Sequence, residues 1–533
     1  MTNSRDQQRR TLALLDATPA WHRLCAVRDD LDDTVAAAIL DSAGRFSDDV
    51  IGPLNIAADR VGCTVAGGRV RVPEGYHAAW RGYADGGWIG IDLPEDRGGS
   101  GLPVVLQAAA AQIFDRGGIA FNMATGASRS GAVLLAEHAP DDIAADWVPA
   151  LISGARTATI CISEPGAGSD VGRIRTVAAL TDGGWRVTGD KIWISFGDHD
   201  LTPMIGHCLL ARTSDAPGTR GLSLFLVPSA QPDGHSNGVS LLRIEDKMGL
   251  HGSPTCALHF DRAEATLIGK TGHGLSQLFT MIELMRLQTG CQGLGIASLS
   301  CDVAIAFAQD RVQGGPSDAA PVPIASHPDV QRQLRWMRGQ TEILRAAVLE
   351  LATQMDLARS GDVTAAAYTA WLLPLIKTFG AETASAVANA GLQVLGGAGY
   401  TADWPLEQAV RDARVLAIYE GTTGMQAIDF LDRRLIRDRG GLDAFMAQSG
   451  DITGAGATVL AHFAALAETL RACPDATRRL WAADAWLRAG WLALTVVLAP
   501  RVAISDPDAA HAALAQIVER FAVHDAAVRD ALR

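Results

Sequence analysis

Ile160-Cys161-Ile162-Ser163-Glu164-Pro165-Gly166-Ala167-Gly168-Ser169-Asp170 closes an apolar run and opens a Gly-Ala-Gly-Ser turn, and near it the 533-residue chain changes character. Upstream, to about residue 155, the pattern is mostly helical: Val35 to Ile51 has amphipathic spacing and Val104 to Ile113 is an Ala-rich apolar run. Gly86 to Gly101 is rich in Gly and Pro and reads as a connecting loop. Downstream, Arg175 to Leu180, the tight turn Thr181-Asp182-Gly183-Gly184 and Trp185 to Thr188 read as strand, turn, strand. Lys191 to Ser195, Cys208 to Arg212, Gly221 to Pro228 and Ala257 to Asp261 are further short β runs. Helical periodicity returns after Gly274, where Leu275, Leu278, Phe279 and Ile282 mark one buried face. Gly290, Gly293, Gly295 and Ala297 follow, small residues that let another element come close. A loop from Gly314 to Ser326 precedes helices expected over Val330 to Ala358, Ala365 to Leu395 and Leu406 to Arg411. The reading is therefore α+β: a helical N-terminal domain over 1–155, a middle β domain over 156–270, a helical C-terminal bundle over 271–436 and a helical extension over 437–533.

Apolar residues make up 48% and charged residues 20%, an ordinary globular balance. The net charge of −13 argues against non-specific binding of nucleic acid and against an anionic membrane surface. The eight cysteines form no C-x-x-C pair, and Cys161, Cys208 and Cys256 sit in apolar strand-like runs. They read as small buried thiols in a reducing compartment, with no metal site. The first residues lack the long apolar core of a signal peptide. No segment offers the ~18 uncharged apolar residues of a spanning helix. A soluble cytoplasmic protein is the expectation.

Five places hold candidate chemistry. In Ile418-Tyr419-Glu420-Gly421-Thr422-Thr423-Gly424-Met425-Gln426 one carboxylate sits among apolar and small residues, with no basic residue within five positions of it. Such a Glu either finds a distant partner or carries a raised pKa, which suits a general base. The turn around Ser163 and Ser169 can aim N–H groups and hydroxyls at a polar ligand edge, though alone it is an ordinary loop. Trp193 and Ser195 are i, i+2 on a strand, so both side chains are expected on one face, an aromatic plane beside a hydroxyl. A core Trp with a neighbouring Ser reads equally well. Arg311, after a long helix, could clamp a pyrophosphate or sit solvated at a helix C-terminus. Gln393 to Tyr400 packs three glycines after a helix, more than a cap needs.

The order and rough spacing of these blocks resemble the acyl-CoA dehydrogenase family over about Phe46 to Leu435. The details look closest to the branch that includes 3-methylthiopropanoyl-CoA dehydrogenase, through Ile51 to Asn55, Gly197 to Leu201, Ile244 to Gly252, Tyr419 to Asp429 and a C-terminal helical extension. The resemblance implies a helical, β, helical fold binding FAD, and α,β-dehydrogenation of an acyl-CoA thioester. Electrons would pass to an electron-transfer flavoprotein. By position, Glu420 matches the catalytic base. Ser163, Ser169, Trp193, Ser195, Thr422 and Thr423 match flavin contacts. Arg311, Gln393, Gly396 and Gly397 match contacts to the pyrophosphate and adenosine end of FAD, partly across a subunit boundary. Ser169, Glu283, Arg286 and Gly421 match substrate-side positions. Some members place the base just before the Arg that here is Arg286; Met285 closes that option. Gly424 stands where a Gln is usual. Ala124 to Arg129, Leu278 to Arg286 and Trp404 are expected near the acyl chain. A homodimer is the expected assembly. The rival readings are an acyl-CoA oxidase, a nitroalkane or amine oxidase relative, a flavin-bearing DNA-binding relative and a non-catalytic scaffold. The slight excess of acid after Gly440 argues against DNA, Glu420 argues against the nitroalkane or amine oxidase and, with the flavin contacts, against the scaffold, and the sequence does not separate the oxidase.

Overall fold

The Asp182-Gly183 turn joins two strands as its sequence predicts, with Gly184 in the left-handed region at φ 93°. The computed structural model describes residues 3–231, 233–450 and 452–533. The chain divides into two units: residues up to 48, 104–116 and 286 onward form one, and residues 49–103 and 117–285 form the other.

The second unit holds the sheets. A small hairpin of β1 (Thr64–Ala66) and β2 (Arg69–Arg71) interrupts the segment read as helical. Its strands are too short to show alternation; Gly67 and Gly68, at φ 60° and 78°, make the turn. Asp198 fixes it, accepting from Val70 N–H at 2.7 Å and from Arg69 Nε at 2.6 Å. The main sheet comprises β3 (Thr157–Cys161), β4 (Val177–Thr181), β5 (Gly184–Ser195), β6 (Ile205–Arg212), β7 (Leu222–Pro228), β8 (Val239–Ile244) and β9 (Thr255–Ile268). Pairing runs β6-β4-β5-β9-β7, and β7 returns to β6, so these strands close a circuit around one core. Inward alternate residues of that core include Val187, Leu209, Phe225, Leu258 and Phe260. Cys161 and Cys256 are buried there, Cys208 is buried outside that cluster, and burial pushes all three thiols up to about 12.

Lys191 to Ser195 is not a separate run but the end of β5, and the register shifts between Lys191 and Ile194. Trp193 sits in that bulge with φ 63°. The simple alternation expected to place Trp193 and Ser195 on one face therefore does not apply. β8 is not legible as a strand because half of its residues are exposed and its apolar residues do not alternate with polar ones.

Lys191 is completely buried, and its ammonium meets Glu164 at 2.8 Å and the Ile162 carbonyl at 3.0 Å. Glu164 also accepts the Arg175 and Thr176 amides at 2.7 and 3.1 Å. Burial raises the Glu164 pKa, but Lys191 and these donors outweigh it and hold the carboxylate below its ordinary range. Removing one partner of such a pair leaves the other charge buried. Glu164→Gln is expected to lower unfolding free energy by roughly 3–5 kcal/mol, read from urea denaturation.

The first unit is helical. Helices Gly274–Asp310 and Val363–Leu395 approach so closely that a Cβ at Gly293 would run into the Gly380 carbonyl. A Cβ at Gly295 would lie 2.6 Å from the Arg116 nitrogen of helix Val104–Gly117. The small residues read in the sequence are thus what permits the approach. The extension forms helices Gly454–Ala472, Ala483–Ser505 and Ile517–Ala531, joined by shorter ones. Contrary to the expectation of no spanning segment, helices Gly274–Asp310 and Ala483–Ser505 are long and apolar enough to cross a membrane by length and composition. In each, 72% of the apolar window is buried inside the protein, the position of a core helix.

Candidate active site

A single strained turn carries the candidate base. Helix Leu406–Ala413 tightens into a 3₁₀ turn at Arg414–Ala417, and the chain then reverses through Glu420 at φ 53° and Gly421 at φ 91°. Helix Thr423–Ile428 begins at once, with the Thr422 hydroxyl capping Met425 N–H at 3.4 Å. A left-handed glycine costs little, whereas the same conformation at Glu420 costs on the order of 1–3 kcal/mol. Side chains from elsewhere in the unit hold it. Lys377 donates to the carbonyls of Leu416 at 2.9 Å and Gly421 at 2.6 Å. Buried Gln426 donates to the Glu420 carbonyl at 3.1 Å. Tyr419 donates its hydroxyl to Gln292.

The Glu420 carboxylate makes no hydrogen bond or ion pair among the described residues. It lies deep in the protein mass yet keeps some accessible surface. Desolvation pushes its pKa up; Arg286 and then Lys377 pull it back through space, and the net result is raised. Arg286 is itself engaged by Asp429 at 3.2 Å. Lys377 is completely buried, and desolvation lowers its pKa to about 8, with Glu420 opposing that fall and Arg286 adding to it. The Glu420 N–H finds no acceptor among the described residues. An unpaired carboxylate and a free donor thus share one residue.

The other sequence-predicted residues fall into separate groups. In the β unit, Ile192 N–H donates to the Ser163 carbonyl at 3.0 Å, which ties the Ser163 loop to the bulge bearing Trp193. Trp193 is 58% exposed, and the hydroxyls of Ser163, Ser169 and Ser195 make no hydrogen bond among the described residues. Nothing lies within 4 Å of a Cβ built on Gly166 or Gly168. An uncovered aromatic plane beside uncommitted hydroxyls and an open glycine loop fits the flat heteroaromatic ring of FAD. In the helical unit, Arg311, Gln393, Gly396 and Gly397 are exposed. Helix ends 301–308 and 387–395 share one core cluster, so Arg311 and the Gly396-Gly397 turn emerge from it together. Among the described residues no hydrogen bond or ion pair joins them to Glu420. Glu283 is half-buried on helix Gly274–Asp310. Of the residues expected near an acyl chain, Arg129 is instead locked to buried Asp92 by two 2.6 Å bonds. Trp404 packs edge-on to Phe307.

Sequence reading missed Lys377, Gln426 and Asp429. Two signals were available. The chain has four lysines, and Lys377 follows the apolar run Trp371 to Ile376, a place where a solvated lysine would not be expected.

The fold agrees with the comparisons. Models of the acyl-CoA dehydrogenase N-terminal, middle and C-terminal domains match residues 36–155, 159–263 and 272–435. The chain is 39% identical over 425 residues to 3-methylmercaptopropionyl-CoA dehydrogenase of Ruegeria pomeroyi, covering 77% of this chain and 72% of that protein. It is 35% identical over 397 residues to a broad-specificity linear acyl-CoA dehydrogenase of Mycobacterium tuberculosis, covering 70% and 64%. The solved acyl-CoA dehydrogenase of Bacillus anthracis, complexed with FAD, superposes with a TM-score of 0.79 at 20% identity, over 95% of this chain and 90% of that one. The chain therefore belongs to the acyl-CoA dehydrogenase family, as an FAD-dependent oxidoreductase.

Proposed function

We propose that Glu420 removes the α proton of a short or medium acyl-CoA thioester, with 3-methylthiopropanoyl-CoA as the leading candidate. The observation that carries this is the unpaired Glu420 carboxylate, its pKa raised by burial, on a backbone that leaves its own N–H free. That N–H would donate to the thioester oxygen as negative charge develops there. Bound FAD supplies the acceptor for the hydride lost from the β carbon. Ser163, Ser169, Trp193, Ser195, Thr422 and Thr423 would hold its ring, and Arg311, Gln393, Gly396 and Gly397 its pyrophosphate and adenosine end. Thr422 would do so while its hydroxyl oxygen also caps a helix, since it still has a proton to donate. Ser169, Glu283, Arg286 and Gly421 would face the substrate. The relative from Ruegeria pomeroyi supports the choice of acyl group. An electron-transfer flavoprotein as acceptor, a homodimer and a cytoplasmic location complete the reading.

Anaerobic titration with a panel of CoA thioesters, short, branched, thioether and aromatic, tests it. Fast loss of yellow colour with the short thioether thioester is expected. Bleaching by none of the panel would sink the reading, and rapid peroxide formation in air would replace dehydrogenase by oxidase.

A pH dependence follows from the base. It works only when ionised, so kcat/KM should fall as pH drops through the Glu420 pKa. Because burial raises that pKa, the acid limb should lie above the 4.5 of an ordinary glutamate. A limb at or below that value, measured with an acceptor whose own chemistry is pH-independent, would contradict the assignment.

A further inference from the structure

Lys377 lies on helix Val363–Leu395, far in sequence from the turn it touches. The side chain is completely buried, and its ammonium meets no carboxylate within ion-pair distance among the described residues. It donates instead to two carbonyls, Leu416 O on the entry to the turn and Gly421 O on its exit. Gln426 takes the Glu420 carbonyl between them. Peptide planes on both sides of Glu420 are thus pinned from outside the turn. Without these donors the Leu416 and Gly421 carbonyls would lose charge-assisted bonds, and the left-handed Glu420 would be free to relax.

We propose that Lys377 is a positioning residue: by bridging the Leu416 and Gly421 carbonyls it fixes Glu420 in its left-handed conformation and sets a positive charge against the turn that carries it. The inference rests on the reading of Glu420 as the base. An ammonium is suited to both tasks. It has three donors at one point, so it can bind two diverging carbonyls, and it carries charge into a place where water is scarce. Other charges face the turn. Arg286 comes from helix Gly274–Asp310, and Asp429, with Arg433 and Arg434 about it, comes from the π-helical turn Asp429–Arg437. Asp115, on helix Val104–Gly117, acts on Tyr419. Among the described residues two cations act on Glu420: Arg286 is bonded to a carboxylate, and Lys377 only to neutral carbonyls. Its loss should be felt by Glu420 with no counter-charge released.

The test uses FAD-loaded Lys377→Met and Lys377→Arg, with Glu420→Gln as control. In Lys377→Met, kcat for acyl-CoA should fall by roughly 10–100-fold, as a base displaced by about an ångström loses, while KM changes less than about threefold. The acid limb of its kcat/KM profile should move to higher pH, because a neighbouring positive charge is gone. Lys377→Arg should keep the limb where the wild type has it and still lose kcat, since a planar guanidinium cannot put one donor point between both carbonyls. A merely structural lysine would move neither the limb nor kcat apart from KM. Wild-type kcat and limb in folded Lys377→Met would overturn the proposal, as would equal limb shifts in both variants. If Lys377→Met does not fold, Lys377→Arg decides: lost kcat at an unmoved limb supports the proposal, and unchanged kcat overturns it. The control separates the two levels. If Glu420→Gln is still bleached by substrate at the wild-type rate, the base assignment itself has failed.

Discussion

In Glu420→Gln the yellow colour stays and the protein stays folded, but anaerobic acyl-CoA bleaches the flavin at least ~10²–10⁴-fold more slowly than in the wild type. The amide occupies the volume of the carboxylate and can adopt the same backbone. It cannot accept the α proton at any pH reached in the assay. Nothing structural is severed, because the carboxylate has no hydrogen-bond or ion-pair partner among the described residues. The sign of the stability change can be worked out as well. A glutamate whose folded pKa is raised above its unfolded value costs stability as pH rises through that range, since the unfolded chain releases the proton more readily. At neutral pH the Gln variant should therefore melt at the same temperature as the wild type or above it. Loss of activity with retained or increased stability is the signature of a residue kept for chemistry. Stopped-flow bleaching and a thermal melt on the same preparation check both halves. A variant that bleaches normally would remove Glu420 from the reaction, and one that unfolds would make it a structural residue.

Most of the architecture was legible because it rests on local patterns. The helix at Val363–Leu395, the Asp182-Gly183 hairpin and the close approach at Gly293 follow from periodicity, turn chemistry and the missing Cβ. Glu420 was legible as a lone carboxylate because its neighbours in sequence are all uncharged. What lay beyond reach depends on pairing across long separations. Lys377 meets the Glu420 turn only after helix Val363–Leu395 packs on residues 414–428, and no spacing rule predicts that. Asp429 meets Arg286 for the same reason. Trp193 shows a different limit. A strand pattern implies regular alternation, and a bulge breaks it without a glycine or proline to mark the place. Exceptions to local rules at Trp193 and Glu420, both non-glycine residues with positive φ, fall on candidate site positions, where strain is tolerated for what it orients.

Trp486→Ala is expected to cost roughly 3–5 kcal/mol of unfolding free energy. This indole is completely buried in helix Ala483–Ser505 of the extension. It stacks on Phe463 at 4.4 Å with planes 4° apart, on Phe430 at 5.6 Å, and meets Trp371 edge-on at 6.3 Å. Phe463 belongs to the extension, whereas Trp371 and Phe430 belong to the bundle. Gly490, one turn on, is small because a Cβ there would lie 2.7 Å from the Phe430 ring. Phe430 in turn sits beside Asp429, the residue that holds Arg286. The extension is therefore built into the wall that supports the Glu420 turn and is not a detachable tail. Urea unfolding of the wild type should show one transition for bundle and extension, and Trp486→Ala should lower its midpoint and weaken flavin bleaching together. Trp486→Phe separates ring packing from the indole N–H. That N–H has no acceptor among the described residues, so losing it removes a penalty of about 1–3 kcal/mol while most of the stacked area remains. The Phe variant should fall within about 1.5 kcal/mol of the wild type. A midpoint for Trp486→Ala within about 1 kcal/mol of the wild type, or an early transition that leaves bleaching intact, would mean that the extension folds on its own and that the Glu420 turn does not depend on it.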